Sequence, residues 1–133
     1  MKQLLVLAMV IVPFSILAQQ KKERTFKDGE YTMKQYYFVM LTKGPRRAEI
    51  TDTARINELQ RGHMANINRL AKEGKIIVAG PFGDDGNWRG IFVFDCETQE
   101  EVEKHLKTDP AIAAGRMAYE IHPWWTAKGT TFK

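Results

Sequence analysis

The sequence predicts an α+β domain whose elements follow the order strand, helix, strand, strand, helix, strand. Three observations predict it. Lys34 to Leu41 (KQYYFVML) is rich in aromatic and branched residues, the composition of a half-buried strand. Thr51 to Glu73 carries apolar residues at helical spacing between cap signals. Beyond it, two short apolar runs, a capped helix and a last apolar run are separated by turn residues.

The first residues stand outside that domain. Lys2 is followed by an apolar run, Leu4 to Leu17, broken by Pro13 and Ser15, and Ala18 then precedes Gln19, Gln20 and a charged stretch. This is the pattern of a secretory signal peptide, residues 1–18, cleaved near Ala18. The alternative, an uncleaved anchor, is disfavoured because the run is short for a bilayer and contains a proline. No cysteine follows the run to carry a lipid anchor. The expected product is exported, periplasmic or secreted, with no stable membrane association. Residues 19–33 are expected to form a polar linker, 34–125 the domain and 126–133 a polar tail.

With 133 residues the chain has room for one ordinary core. Its 44% hydrophobic and 27% charged residues exclude disorder across the whole chain. Part of the net charge of +4 comes from Lys21, Lys22, Arg24 and Lys27 in the linker. Within the domain the pair Arg46 and Arg47 is too small a patch for nucleic acid. Cys96 is the sole cysteine, so no internal disulfide can form, and a buried structural thiol is expected.

Gly44-Pro45 marks a loop after the first strand. In the helix that follows, Thr51, Asp52 and Thr53 are candidate N-caps and Gly74 is the stop. Its apolar stripe is Ile56, Leu59, Ile67 and Leu70, with Met64 and Ala71 beside it. His63 lies four residues from both Leu59 and Ile67, so at about 100° per residue it falls inside the buried arc. Lys75 to Gly80 is a short second strand, Pro81 to Asn87 a turn-forming loop, and Trp88 to Cys96 a third strand of central type. Thr98 with Glu101 fits a capping box, opening a helix that runs to about Lys107 on Val102 and Leu106. Asp109-Pro110 starts a helical turn that Gly115 stops, and Arg116 to His122 is a fourth strand ended by Pro123.

Two right-handed strand–helix–strand units of this kind give a ferredoxin-like βαββαβ fold: an antiparallel four-stranded sheet with both helices on one face. The other face would be left bare, and aromatic strands such as Tyr36-Tyr37-Phe38 and Ile91 to Phe94 would expose a large apolar patch there. Covering it with a second copy predicts a homodimer.

Gly62-His63-Met64, Leu70 to Gly74, Ala79-Gly80-Pro81-Phe82, Asp109-Pro110 and Pro123-Trp124, in that order over Lys34 to Trp125, resemble the YCII-related family. The resemblance implies a dimeric α+β barrel and a small cofactor-free enzyme built around a histidine and an aspartate. These fall on His63 and Asp109, and the family's Gly-Pro falls on Gly80 and Pro81. A relative in chloroaromatic breakdown is a dehydrochlorinase, so acid–base chemistry is within the family's reach. This chain departs from many members in its signal-like start. Gly62, where a residue favourable to helices is usual, costs about 1 kcal/mol against alanine.

Each candidate has a bland explanation beside the functional one. His63 is a proton-transfer residue or a satisfied core histidine. Asp109 orients the imidazole, caps the turn at Pro110, or does both. Asp84 lies in the loop after Gly80-Pro81 and contacts substrate or serves local backbone bonding, and the same choice holds for Asp85 and Asn87. Tyr36 and Tyr37 point to opposite faces, and Tyr36 is taken as the one that can reach substrate. No metal site is expected, because His63, His105, His122 and Cys96 lack the short paired spacings of zinc ligands. His105 is expected in solvent at the edge of its helix stripe. Trp124-Trp125 is expected to be a packing or interface anchor. Serine-nucleophile, phosphate-loop and dinucleotide motifs are absent.

Three functions remain open. The first is a cofactor-independent acid–base enzyme (lyase, isomerase or dehydrochlorinase-like) that acts on a small organic molecule through His63 and Asp109. The second is a non-catalytic dimeric domain that binds a small ligand. The third is a cofactor-free monooxygenase-like member of the same superfold.

Overall fold

A computed structural model describes residues 22–132 of the chain. Five strands, β1 (Thr25–Asp28), β2 (Tyr31–Lys43), β3 (Ile76–Pro81), β4 (Trp88–Phe94) and β5 (Met117–Ala127), form one antiparallel sheet. They are connected by the helices α1 (Thr53–Lys72), α2 (Gln99–Leu106) and α3 (Pro110–Ala113). β2 is central, with β4 on one edge and β5 on the other, and β3 lies beyond β4. The order β5-β2-β4-β3 is that of the ferredoxin-like fold the sequence predicts.

β2 holds this position because its side chains alternate between two apolar surfaces. Tyr37, Val39 and Leu41 pack with Phe92 and Phe94 of β4 against Leu70 of α1 and Val102 and Leu106 of α2. Each fully buried side chain of this size is worth about 1.5–3 kcal/mol. Cys96 joins that core, as expected of a structural thiol. On the other face Tyr36, Phe38, Ile91, Val93 and Trp124 line an open apolar groove of about 280 Å³.

The structure differs from the sequence reading at both ends of the domain. Residues 25–32, expected to be linker, include a hairpin: β1 pairs with the start of β2 around Gly29 and Glu30, and Gly29 supplies the positive φ of 56°. Both β1 and β5 pair with Met33 and Lys34, so β1 shares the β4 edge. The buried Lys34 ammonium ties the hairpin down through Glu23 (2.7 Å) and Asp95 (2.9 Å). At the other end β5 runs through Pro123 to Ala127 instead of stopping. A proline is tolerated there because β5 is an edge strand, where a missing N–H need not break the ladder. Trp124 and Trp125 therefore lie within the sheet, against Phe38 and Phe26. Met64, expected beside the buried stripe, is 45% exposed.

The expected signal peptide, residues 1–18, lies outside the described residues. Among those described, no helix is long and apolar enough to cross a membrane.

Candidate functional site

α1 starts where Asp52 accepts the Arg55 N–H (3.0 Å), and its buried residues are Leu59, His63 and Leu70. The histidine thus occupies the place on the buried arc that its spacing predicts. It faces α3, whose N-cap is Asp109 and whose first residue is Pro110. One Asp109 oxygen, Oδ1, accepts the N–H groups of Ala111 (2.9 Å) and Ile112 (3.4 Å). The other, Oδ2, lies 2.6 Å from His63 Nδ1. Capping and orienting are therefore done by the same carboxylate.

Gly62 makes this approach possible. A Cβ on Gly62 would sit 2.4 Å from Cγ of Pro110. The glycine beside the histidine and the proline beside the aspartate are in contact, which brings the imidazole and the carboxylate together. This is the physical reason for a residue that helix propensity disfavours.

Asp109 is 1% exposed and accepts three donors, an arrangement that suits an ionised carboxylate. A carboxylate there fixes the proton of the neutral imidazole on Nδ1, leaving the Nε2 lone pair for whatever the ring faces. The ring lines two adjoining cavities of about 240 and 210 Å³. Gln60, His63, Pro81, Arg89 and Met117 border both.

The two lobes differ in chemistry. The larger is lined by Arg47, Arg89 and Arg116. The smaller is lined by Leu41, Met64, Ile67 and Phe92. Arg47 comes from the loop between β2 and α1, and Arg116 directly precedes β5. Arg89 is skipped in the β2–β4 register, where Leu41 pairs with Gly90 and Thr42 with Trp88. Such a bulge re-aims a side chain. A second register shift, between Ile76 and Val78 of β3, lets Ile76 enter the core while Ala79 borders the apolar lobe.

Among the described residues Arg47 has no ion pair, and burial, then Arg116 and Arg89, hold its guanidinium below the usual arginine range, with Asp85 opposing. Arg116 donates to the Ile50 carbonyl at 3.3 Å. Arg89 pairs with Asp85 (2.9 Å), an exposed carboxylate.

Of the residues singled out from sequence, His63, Gly80 and Pro81 border the cavities, and Asp109 stands directly behind His63. Tyr36 does not join them. It lines the groove on the opposite sheet face, and Tyr37 is the one packed among the helices. The alternation of β2 decides this, because Val39 and Leu41 share the face of Tyr37. Asp84 is exposed and borders neither lobe; its carbonyl accepts a long bond from Arg89 (3.4 Å), a local backbone role. The three arginines and Gln60 were not found from sequence, since they are scattered along the chain and share no spacing. Arg46, the sequence neighbour of Arg47, bonds Glu49.

Among the described residues one group brings possible metal ligands together. Cys96, Glu101 and His105 place ligand atoms within 4.8 Å of one another. Both Glu101 oxygens are engaged, however, by Lys75 Nζ (2.6 Å) and the Glu97 N–H (3.0 Å), so the set is already used in holding α2. His105 is not in solvent as expected: its ring stacks on Phe94 and its Nε2 is enclosed without a hydrogen-bond partner.

Two of the solved structures similar to this chain illustrate the fold. One is 5-chloro-2-hydroxyhydroquinone dehydrochlorinase from Burkholderia phenoliruptrix AC1100 in complex with 2,5-dihydroxybenzoquinone. It is 22% identical, with a TM-score of 0.51 over 67% of this chain and 92% of that one. The other is muconolactone isomerase, 19% identical, with a TM-score of 0.55 over 74% of this chain and 96% of that one. At such identities the likeness is one of fold. No curated protein matches the chain. The YCII-related domain matches residues 36–125, nearly the whole of the folded region, and the chain belongs to that family.

Proposed function

We propose that this protein is an acid–base enzyme acting on a small organic molecule, with His63 as the base and Asp109 as the residue that orients it. The observation that carries this reading is a histidine whose Nδ1 is held at 2.6 Å by a buried carboxylate while its ring borders two cavities. A core histidine kept only for packing would not be expected to border open space. In the proposed step a substrate C–H bond breaks, the proton joins Nε2, and the electron pair stays on the substrate. Asp109 stabilises the resulting imidazolium. Returning the proton to another atom gives an isomerisation, and expelling a leaving group gives an elimination. Either course needs no cofactor. That the fold is shared with an enzyme named as a dehydrochlorinase and another named as an isomerase supports a reaction of this kind.

Hydrogen–deuterium exchange into a panel of small carbon acids tests it. His63→Gln is expected to abolish exchange, and Asp109→Asn to slow it by about 10²–10⁴-fold. Full activity in His63→Gln would sink the reading.

We further propose a homodimer through the open sheet face, where Ile77 (49%) and Trp124 (41%) are exposed beside the groove. Export follows from the pattern of residues 1–18. Its test is the mass of the protein recovered outside the cytoplasm, which should lack that segment.

A further inference from the structure

We infer that the substrate is a small organic carboxylate whose charged group sits among Arg47, Arg89 and Arg116 and whose apolar body enters the second lobe. The inference rests on the reading of His63 as the base and adds the substrate class.

Three guanidinium groups from three separate parts of the fold border one lobe of about 240 Å³. Among the described residues the carboxylate paired with any of them is that of Asp85, whose side chain is 89% exposed. Asp109 is spent on His63 and the α3 cap. Like charges gathered with so little compensation repel one another, and they gain most from an anion placed between them. The state of Arg47, disfavoured as a cation by burial and its arginine neighbours, is the same imbalance seen at one residue. The planar fork of arginine matches the two oxygens of a carboxylate.

Shape selects the rest of the molecule. The adjoining lobe, about 210 Å³, is bordered by Leu41, Met64, Ile67 and Phe92 and offers an apolar body a place away from water. Both lobes are smaller than the roughly 300–1,000 Å³ of drug-sized sites, so a single ring or short chain fits the scale. His63 borders both lobes, so with the carboxylate among the arginines the carbon next to it lies toward the base. As that carbon loses its proton to Nε2, the electron pair of the broken bond spreads onto the carboxylate oxygens, where the arginines oppose the growing charge.

The test uses the full chain and three probes, benzoate, benzamide and inorganic phosphate, followed by calorimetry and by the His63 ring signals in NMR. Benzoate should bind saturably and shift those signals, with benzamide about tenfold or more weaker. Arg47→Gln should weaken benzoate by about tenfold and leave benzamide unchanged. Arg116→Gln should weaken benzoate as well, but it also loses the bond to Ile50. Arg47 has no such partner, so its variant decides the matter if Arg116→Gln folds poorly. Equal affinity for benzoate and benzamide, no benzoate binding, or binding unaffected by Arg47→Gln overturns the inference. So does phosphate binding without benzoate binding. The base is judged separately. Arginine-dependent benzoate binding without any carbon-acid exchange keeps the anion site and overturns the base. Exchange confined to neutral compounds keeps the base and overturns the carboxylate.

Discussion

Replacing Gly62 with alanine sets two effects against each other. In an unconstrained helix the change would stabilise by about 1 kcal/mol. Here the new Cβ would lie 2.4 Å from Cγ of Pro110, and also 3.5 and 3.6 Å from its Cβ and Cδ. A proline ring cannot swing aside as a long side chain can, so α3 must retreat by on the order of 1 Å to restore ordinary contact. Overpacking of this kind costs about 1–3 kcal/mol. The retreat carries Asp109 with it and lengthens the 2.6 Å contact to His63 beyond hydrogen-bond range. Losing a buried bond to a charged group adds about 1–3 kcal/mol. The clash and the lost bond outweigh the helical gain, and the net expectation is a loss of about 1–5 kcal/mol. Urea unfolding measures the loss, and the Nδ1–H signal of His63 reports the contact. A Gly62→Ala protein that is more stable by about 1 kcal/mol and keeps that signal would refute the claim that this close approach sets the histidine–aspartate geometry.

Three further outcomes are expected. The Lys128 and then Lys34 ammonium groups lower Glu23 from 4.5 to about 2, so its contribution to holding β1 is present above pH 4.5 and lost as pH falls toward about 2. Amide protection factors in β1 should fall across that window in the parent and not in Glu23→Gln; equal behaviour of the two would count against the ion pairs. Arg47→Gln, without added anion, should leave the urea midpoint unchanged or raise it, contrary to the roughly 1 kcal/mol loss typical of substitutions. A loss of that size would show that Arg47 serves stability. Ile77→Glu on the open sheet face should give a monomer by light scattering where the parent is a dimer, and an unchanged mass would exclude that face as the interface.

The parts of the fold legible in the sequence are those where burial imposes a period. β2 alternates, α1 repeats its apolar residues over a 3.6 period, and the Thr98 and Asp109 caps announce the helices that follow. β1 was missed because all four of its residues are exposed, so it has no alternation to read. Its support comes from the β2 ladder and from Glu23 reaching Lys34 and Lys128, contacts distant in sequence. The length of β5 was missed for the opposite reason. Pro123 is a true local stop signal, overridden because the strand has a free edge and pairs with β2 from Lys43 back to Met33.

The site divides along the same line. His63 was legible because a polar residue inside an apolar helical arc conflicts with its surroundings, and such conflicts gather at functional positions. The arginines conflict with nothing nearby. Arg47 lies in a loop, Arg89 beside a turn and Arg116 after a glycine stop, all ordinary places for a charge. Their conflict is with one another, and it exists only after the fold brings together residues 47, 89 and 116. A charge cluster assembled from distant segments leaves no trace in spacing or composition. In the folded chain burial first, then Arg116 and Arg89, hold the Arg47 guanidinium below the usual arginine range. The sequence could thus point to the proposed base, while the class of molecule proposed for it depends on contacts that only the fold creates.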